Sequence, residues 1–313
     1  MPKFYLPEHI PCLCNIKVSR RFSVVNLLNS VLRWACYLCT VGQVVHTLSE
    51  GEPVVGVTSL AGEVYVLRDK ERDQVEVYDA ISYCLQRRLT VPNRRGCIEI
   101  TSCSHNRCVY VANDDDCCVH GLGVEGTGTT WWCVNDKPSG LWVNAAHNLL
   151  VTCRHVRKIK EFSTHGKLLR ELTLPDHRVI NLWHAIQLTS GQFIACNGNA
   201  DDAVHGVRKI SDDGRQVLQS HGGQPGSATA QYNWPVRLAV DDNEFVFVTD
   251  LLNRRVTLLS PTLGYIRQVV ASDDLKWYPR RLCLDIQRRR LYVADNEWKN
   301  GTYTAGRVVV FSV

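Results

Sequence analysis

Glycine and proline are scarce, at 21 and 11 of 313 residues, which excludes a collagen-like or proline-rich chain. Charge of one sign is scarce too. The balance of 36 basic against 31 acidic residues gives a formal net charge of +5, so an acidic partner is permitted, but any basic surface must come from local clustering. The chain lacks a Gly-x-Ser-x-Gly elbow and a phosphate-binding glycine loop, so no nucleophilic or nucleotide chemistry can be read from motifs. The glycine-rich stretch Gly121 to Gly128 reads as an inter-strand loop, because no helix follows it. Met1 to Arg21 is polar and carries Pro2, Pro7 and Pro11, so no cleavable secretory leader is read there.

Hydrophobic residues make up 45% of the chain and charged residues 21%, enough to build a sizeable core. The 14 cysteines exceed the average but fall below the density of a disulfide scaffold, and Cys108, Cys133 and Cys283 sit inside apolar runs. Reduced thiols and a cytoplasmic location are therefore expected. Phe22 to Val45 is long enough to span a bilayer, but Asn26, Asn29, Arg33 and Gln43 interrupt it, so membrane attachment is not expected. Residues 1–40 read as an N-terminal extension, helical or poorly ordered, ahead of a domain over residues 41–313. Cys12, Cys14, Cys36 and Cys39 are the only zinc-like cysteine series. The run between the two pairs is apolar and does not resemble a zinc knuckle, so no metal and no cofactor is expected.

Beyond residue 50 the signal is repetition. Short apolar runs recur at Val64-Tyr65-Val66, Val109-Tyr110-Val111, Leu149-Leu150-Val151, Gln192-Phe193-Ile194, Val246-Phe247-Val248 and Leu291-Tyr292-Val293. Their middle residues are 45, 40, 43, 54 and 45 positions apart. A second apolar stretch precedes each run, and a third follows most of them. Four short antiparallel strands per repeat, six times over, predict an all-β, six-bladed β-propeller. The last repeat runs out at Val313 after three strands. Gln43 to Leu48 has the pattern of an outer strand, so it is expected to pair with the C-terminal strand and close the ring.

Two repeats carry a more specific pattern. Tyr232-Asn233-Trp234-Pro235-Val236-Arg237-Leu238-Ala239-Val240-Asp241 is followed by Phe247-Val248-Thr249-Asp250 and by Asn253-Arg254-Arg255-Val256. Pro279 to Asp285, Tyr292-Val293-Ala294-Asp295 and Gly306-Arg307-Val308 repeat that order. This arrangement resembles the NHL-repeat propellers, best known as the C-terminal recognition modules of tripartite-motif proteins. The resemblance implies a docking platform for protein or RNA, with a role in ubiquitin-linked substrate recognition. The other four repeats depart from it, with Arg68, Asn113, Cys153 and Cys196 in the place of the turn Asp. Asp250 and Asp295 are expected to hold turns and to pair with Arg255 and Arg307, a structural role.

Aligning the first strand of each repeat two residues past the proline position gives the column Val55, Ile98, Trp142, Trp183, Arg237 and Arg281. With Arg280 and Trp234 beside it, this column reads either as a partner-binding rim or as tryptophans packed between blades under arginine stems. Such a rim suits a protein or peptide with acidic groups, and equally single-stranded RNA. The following columns place Glu99, His184 and Asn144 toward the channel. Those positions invite comparison with calcium- or zinc-dependent propeller hydrolases and lyases, but one histidine and one carboxylate are too few for either metal set. The expectation is a non-catalytic scaffold.

Overall fold

The computed structural model describes residues 42–313, apart from 70–73, 92–95, 126–127 and 175–180. The expectations for the N-terminal extension, the Phe22 to Val45 segment as far as residue 41, and the four N-terminal cysteines lie outside the described residues. Strand β1 (Val44–Gly51) precedes six four-stranded units. Blade I holds β2 (Val54–Leu60), β3 (Glu63–Arg68), β4 (Gln74–Asp79) and β5 (Leu85–Thr90), and blade II holds β6 (Cys97–Cys103), β7 (Cys108–Asn113), β8 (Cys118–Gly123) and β9 (Thr129–Cys133). Blade III holds β10 (Gly140–Val143), β11 (Leu149–Cys153), β12 (Lys158–Phe162) and β13 (Leu168–Thr173), and blade IV holds β14 (Leu182–Gln187), β15 (Phe193–Asn197), β16 (His205–Ile210) and β17 (Val217–Gly223). Blade V holds β18 (Pro235–Val240), β19 (Val246–Asp250), β20 (Arg255–Leu259) and β21 (Tyr265–Val270). Blade VI holds β22 (Tyr278–Asp285), β23 (Arg290–Lys299) and β24 (Thr302–Ser312), with β1 as its outer strand.

Every sheet is antiparallel, and the inner strands β2, β6, β10, β14, β18 and β22 meet in chain order before β22 returns to β2. The fold is a six-bladed β-propeller closed as the sequence predicts: β1 pairs with β24, Val44 facing Phe311 and Leu48 facing Val308. No helix among the described residues is long and apolar enough to cross a membrane.

The repeated runs form the second strand of each blade because alternate large side chains can be buried on both faces between blades. Tyr65, Tyr110, Leu150, Phe247 and Tyr292 are buried at equivalent positions, and Ile194, one residue after Phe193, takes that place in blade IV. Each such burial stabilises the fold by about 1.5–3 kcal/mol. Two-residue turns set the hairpins where the backbone enters the left-handed region, as at Ala61-Gly62 (φ 51° and 92°) and Asn300-Gly301 (φ 50° and 80°). The stretch from Gly121 to Gly128 is only partly a loop, since β8 runs through Gly123. The ten described cysteines are free thiols, and Cys97, Cys103, Cys153 and Cys196 fill the core as small hydrophobes.

The motif aspartates do not act alone as turn formers. Asp250 accepts the Asn233 N–H (2.7 Å), 17 residues upstream, and binds Arg255 Nε (2.8 Å) and Asn253 Nδ2 (2.7 Å). Asp295 does the same with the N–H groups of Lys276 (2.8 Å) and Trp277 (3.1 Å) and with Arg307. Each carboxylate thus ties the loop leading into its blade to the blade's third strand. In blade I the polarity is reversed, with Arg68 in the aspartate's column and Glu76 as its partner at 2.7 Å.

Candidate functional site

Five of the six inner strands carry a register irregularity one step before the axial position. It lies between Val54 and Gly56, Cys97 and Glu99, Leu182 and His184, Pro235 and Arg237, and Pro279 and Arg281. Strand β10 begins at the axial position itself, Gly140. The columns read from sequence do not follow the axial layer: they reach it at Arg237 and Arg281, stop one residue short at Val55, Ile98 and Trp183, and run two residues past it at Trp142. Gly56, Glu99, Gly140, His184, Arg237 and Arg281 face equivalent residues of the second strands, so they form one layer around the axis. The layer needs its two glycines. A Cβ at Gly140 would lie 2.7 Å from His184 Cδ2, and one at Gly56 would lie 2.9 Å from the Ile100 nitrogen.

The residues just before this layer turn their carbonyl oxygens toward the axis, one from each blade, and two arginines collect all six. Arg281 donates through Nε to Val55 O (2.5 Å), through Nη2 to Ile98 O (2.7 Å) and through Nη1 to Arg280 O (3.0 Å). Arg237 donates to Val236 O (2.8 Å), Ser139 O (2.9 Å) and Trp183 O (3.5 Å). Glu99 lies between them, with Oε2 paired to Arg237 and 3.6 Å from Arg281 Nε, while Oε1 accepts the Ile100 N–H at 3.1 Å. Burial pulls both guanidinium pKa values down, but arginine keeps its proton inside proteins, so both remain cations. Converging carbonyl and carboxylate oxygens are what a hard cation seeks. Here two of the chain's own side chains take that place.

Arg237 and Arg281 are therefore not on an exposed rim: they are 2% and 5% exposed and join all six blades. Nor do they share a layer with either tryptophan. Trp183 precedes the layer, whereas Trp142 lies beyond it and lines a cavity of about 190 Å³. That cavity has Glu99, His184 and Arg237 at its floor and the hydroxyl side chains of Thr58, Ser59, Thr101 and Ser102 on one wall. Asn144 does not converge with Glu99 and His184. It lies four residues past Gly140, roughly 13 Å along the strand. It is engaged there by Glu161 (2.9 Å), Gln187 (2.9 Å) and the N–H groups of Ala146 and Asn148. Among the described residues no group of three or more His, Cys, Asp or Glu side chains is disposed to hold a metal ion.

His184 is also occupied. Its Nε2–H donates to Leu141 O (3.0 Å) and its Nδ1 faces the Leu238 N–H (3.4 Å), partners that assign the neutral tautomer. Burial, reinforced by the Arg281 charge, pushes its pKa down from 6.5 to about 4. Between these values the unfolded chain binds a proton that the native chain refuses. Stability is thus complete above pH 6.5 and falls as the pH drops toward 4, by about 3 kcal/mol. His184→Gln should flatten this part of the stability curve, measured by urea unfolding from pH 7 down to pH 4. A slope as steep as that of the wild type would overturn the assignment.

The end of the propeller where the inner strands begin is where aromatic and basic side chains remain half-exposed. The Trp183 indole donates to Gly198 O (2.7 Å), carries the Arg154 guanidinium 4.0 Å above its ring, and lies 5.8 Å from Trp234. Trp234 is held at φ 67°, a costly conformation for an aromatic residue, with its N–H bonded to His205 Nδ1 (3.0 Å). Across the ring, the β23–β24 hairpin is longer than the others and carries Trp298, 48% exposed, edge-on to Tyr303 at 4.6 Å. Arg280 packs on that Tyr303 ring at 4.2 Å. Of the expected rim, Arg280, Trp183 and Trp234 stand at this end. The column alignment missed Arg154, in the connection between β11 and β12, and Trp298 and Tyr303, at the hairpin ends of β23 and β24. An exposed tryptophan next to an Asn-Gly turn was the available signal for the hairpin.

No protein-family model matches the chain, and no curated protein does. Solved structures do. A streptogramin B lyase is 12% identical, with a TM-score of 0.57 over 84% of this chain and 98% of that one. The virginiamycin B lyase from Staphylococcus aureus is 11% identical (TM-score 0.56; 85% and 98%), and the WD40 β-propeller domain of Doa1 is 13% identical (TM-score 0.56; 87% and 97%). At this identity the likeness shows the propeller fold alone.

Proposed function

We propose that the chain is a non-catalytic recognition propeller that docks a protein or peptide on the end bearing Trp183, Trp234, Arg280 and the Trp298–Tyr303 hairpin. The observation that carries this reading is the contrast between the two polar regions. Axial polar groups are consumed by internal bonds, while the aromatic and arginine side chains at the leading end stay half-exposed, the composition favoured in interface anchors. The resemblance of blades V and VI to NHL repeats supports a role in substrate recognition for ubiquitin-linked regulation, in the cytoplasm. With Glu99 and His184 engaged by neighbours, neither is free to move a substrate proton, so the hydrolase or lyase reading draws nothing from the axis. The RNA reading loses two of its arginines to the channel.

The test is selection from a random-peptide display library with the full chain, alongside a variant carrying Trp183→Ala and Trp298→Ala. Peptides retained by the wild type and lost by a folded variant would support docking at this end. Retention unaffected by the variant, or preference for a random single-stranded RNA pool with steep salt dependence, would overturn it.

A further inference from the structure

Arg154 occupies a 3-10 turn (Arg154–Val156) between β11 and β12 of blade III, and its surroundings are unusual for a half-buried arginine. One face of the guanidinium is covered by Trp183 at 4.0 Å. Its hydrogen bonding is nearly empty: Nη2 meets His155 Nε2 at 3.3 Å, and Nε is buried with no partner. Among the described residues no carboxylate lies within ion-pair distance. Asp202 is turned to the Asn181 amide (2.8 and 3.0 Å), and Asp114 acts on Arg154 only through its field. Burial holds the guanidinium below its ordinary pKa, so the charged form lacks solvation it would gain from an acceptor. Most other buried or half-buried arginines of this protein are paired: Arg237 and Arg281 to carbonyls, Arg255 to Asp250, Arg307 to Asp295.

We propose that Arg154, stacked on Trp183, is the carboxylate-recognition residue of the docking face, and that the partner is a peptide presenting one carboxylate next to an apolar side chain. This rests on the peptide-docking reading above and specifies its ligand. Stacking fixes the guanidinium plane, and with Nε buried and Nη2 turned to His155 it is the Nη1–Nη2 end that is left to meet a planar carboxylate with two parallel bonds. The charges around it choose the anion. Arg154 and Lys137 face Asp114, Asp115 and Asp202, a mildly acidic surround that opposes a phosphate dianion or a nucleic-acid backbone more than a monoanion. Trp234, 5.8 Å from Trp183, supplies the apolar plate for the neighbouring side chain.

The experiment uses the full chain and individual synthetic peptides taken from the display selection, with affinities measured by calorimetry. Selected peptides should share an Asp, a Glu or a free C-terminal carboxylate. Replacing the acidic side chain by its amide, or amidating the C-terminus, shows which source is bound. Arg154→Gln should weaken binding roughly 10- to 100-fold, the loss of one charge-assisted pair, while Arg154→Lys restores part of it. Melting temperatures of both variants, unchanged from the wild type, exclude misfolding as the cause. Phosphoserine in place of the acidic residue should bind more weakly than the carboxylate. Peptides bound without acidic preference and equally by Arg154→Gln would overturn this inference while leaving the docking face standing. If no peptide is selected at all, both fall.

Discussion

Arg237→Ala is expected to lower the unfolding midpoint by roughly 10 °C. Removing the guanidinium leaves the Ser139, Trp183 and Val236 carbonyls without their donor and takes one of two cations from Glu99. Breaking a buried, paired charge costs about 3–5 kcal/mol, and each kcal/mol shifts the midpoint of a domain this size by a few degrees. Arg237→Lys should recover only part, because an ammonium cannot present a planar fork to three carbonyls from different blades. The sharper check is chemical rescue. If the side chain serves as an internal cation, guanidinium chloride far below unfolding concentrations should raise the melting temperature of Arg237→Ala and leave the wild type unmoved. A variant that melts within a degree or two of the wild type, or that ignores added guanidinium, would remove the carbonyl ring from the account of what holds the blades together.

The same ring shows where sequence reading stops. The repeats were legible because the second strand of each blade must be apolar on both faces, and a run such as Val-Tyr-Val every 40–54 residues survives in all six. The closing strand was legible for a related reason, a missing fourth strand at one end and a matching segment at the other. The axial layer was not, because an apolar strand pattern leaves the offset of each inner strand open by a residue or more. Counting from the proline position reached the layer at Arg237 and Arg281, stopped one residue short of it at Val55, Ile98 and Trp183, and ran two past it at Trp142, which set Trp142 beside Trp183 and separated Arg237 from Glu99. Convergence of six backbone carbonyls has no side-chain signature at all, so two arginines that satisfy them look from sequence like surface charge. Arg154 was invisible for the opposite reason: it lies in a turn, outside any strand column.

Deleting β1 should cost the protein its cooperative unfolding, and two nested truncations isolate the effect. A chain beginning at residue 42 retains every described bond of blade VI, including the Gly42 N–H to Ser312 O (3.0 Å) and the Ser312 N–H to Gln43 O (3.0 Å). A chain beginning at residue 53 loses β1, and with it Leu48, which is 1% exposed and packs with Val54, Tyr292, Val308 and Val310 between blades VI and I. The Leu48 side chain alone is worth about 2–5 kcal/mol by the usual cost of emptying a core position. The larger consequence is the edge left behind. The free flank of β24 would expose the N–H and C=O groups that now face β1, along the apolar run Val308 to Phe311, a template for pairing with another copy. Blades VI and I would stay linked through Asn296, which bonds both the N–H and the carbonyl of Val54 (2.9 and 2.8 Å), and through Arg281 to Val55. The expected product is therefore a ring with one unprotected edge rather than an opened ring. It should aggregate on heating and show a broadened, concentration-dependent transition, read by light scattering and calorimetry side by side. If the chain from residue 53 melts as sharply as the chain from residue 42, closure by β1 contributes nothing to stability and the inter-blade bonds of Asn296 and Arg281 hold the ring alone.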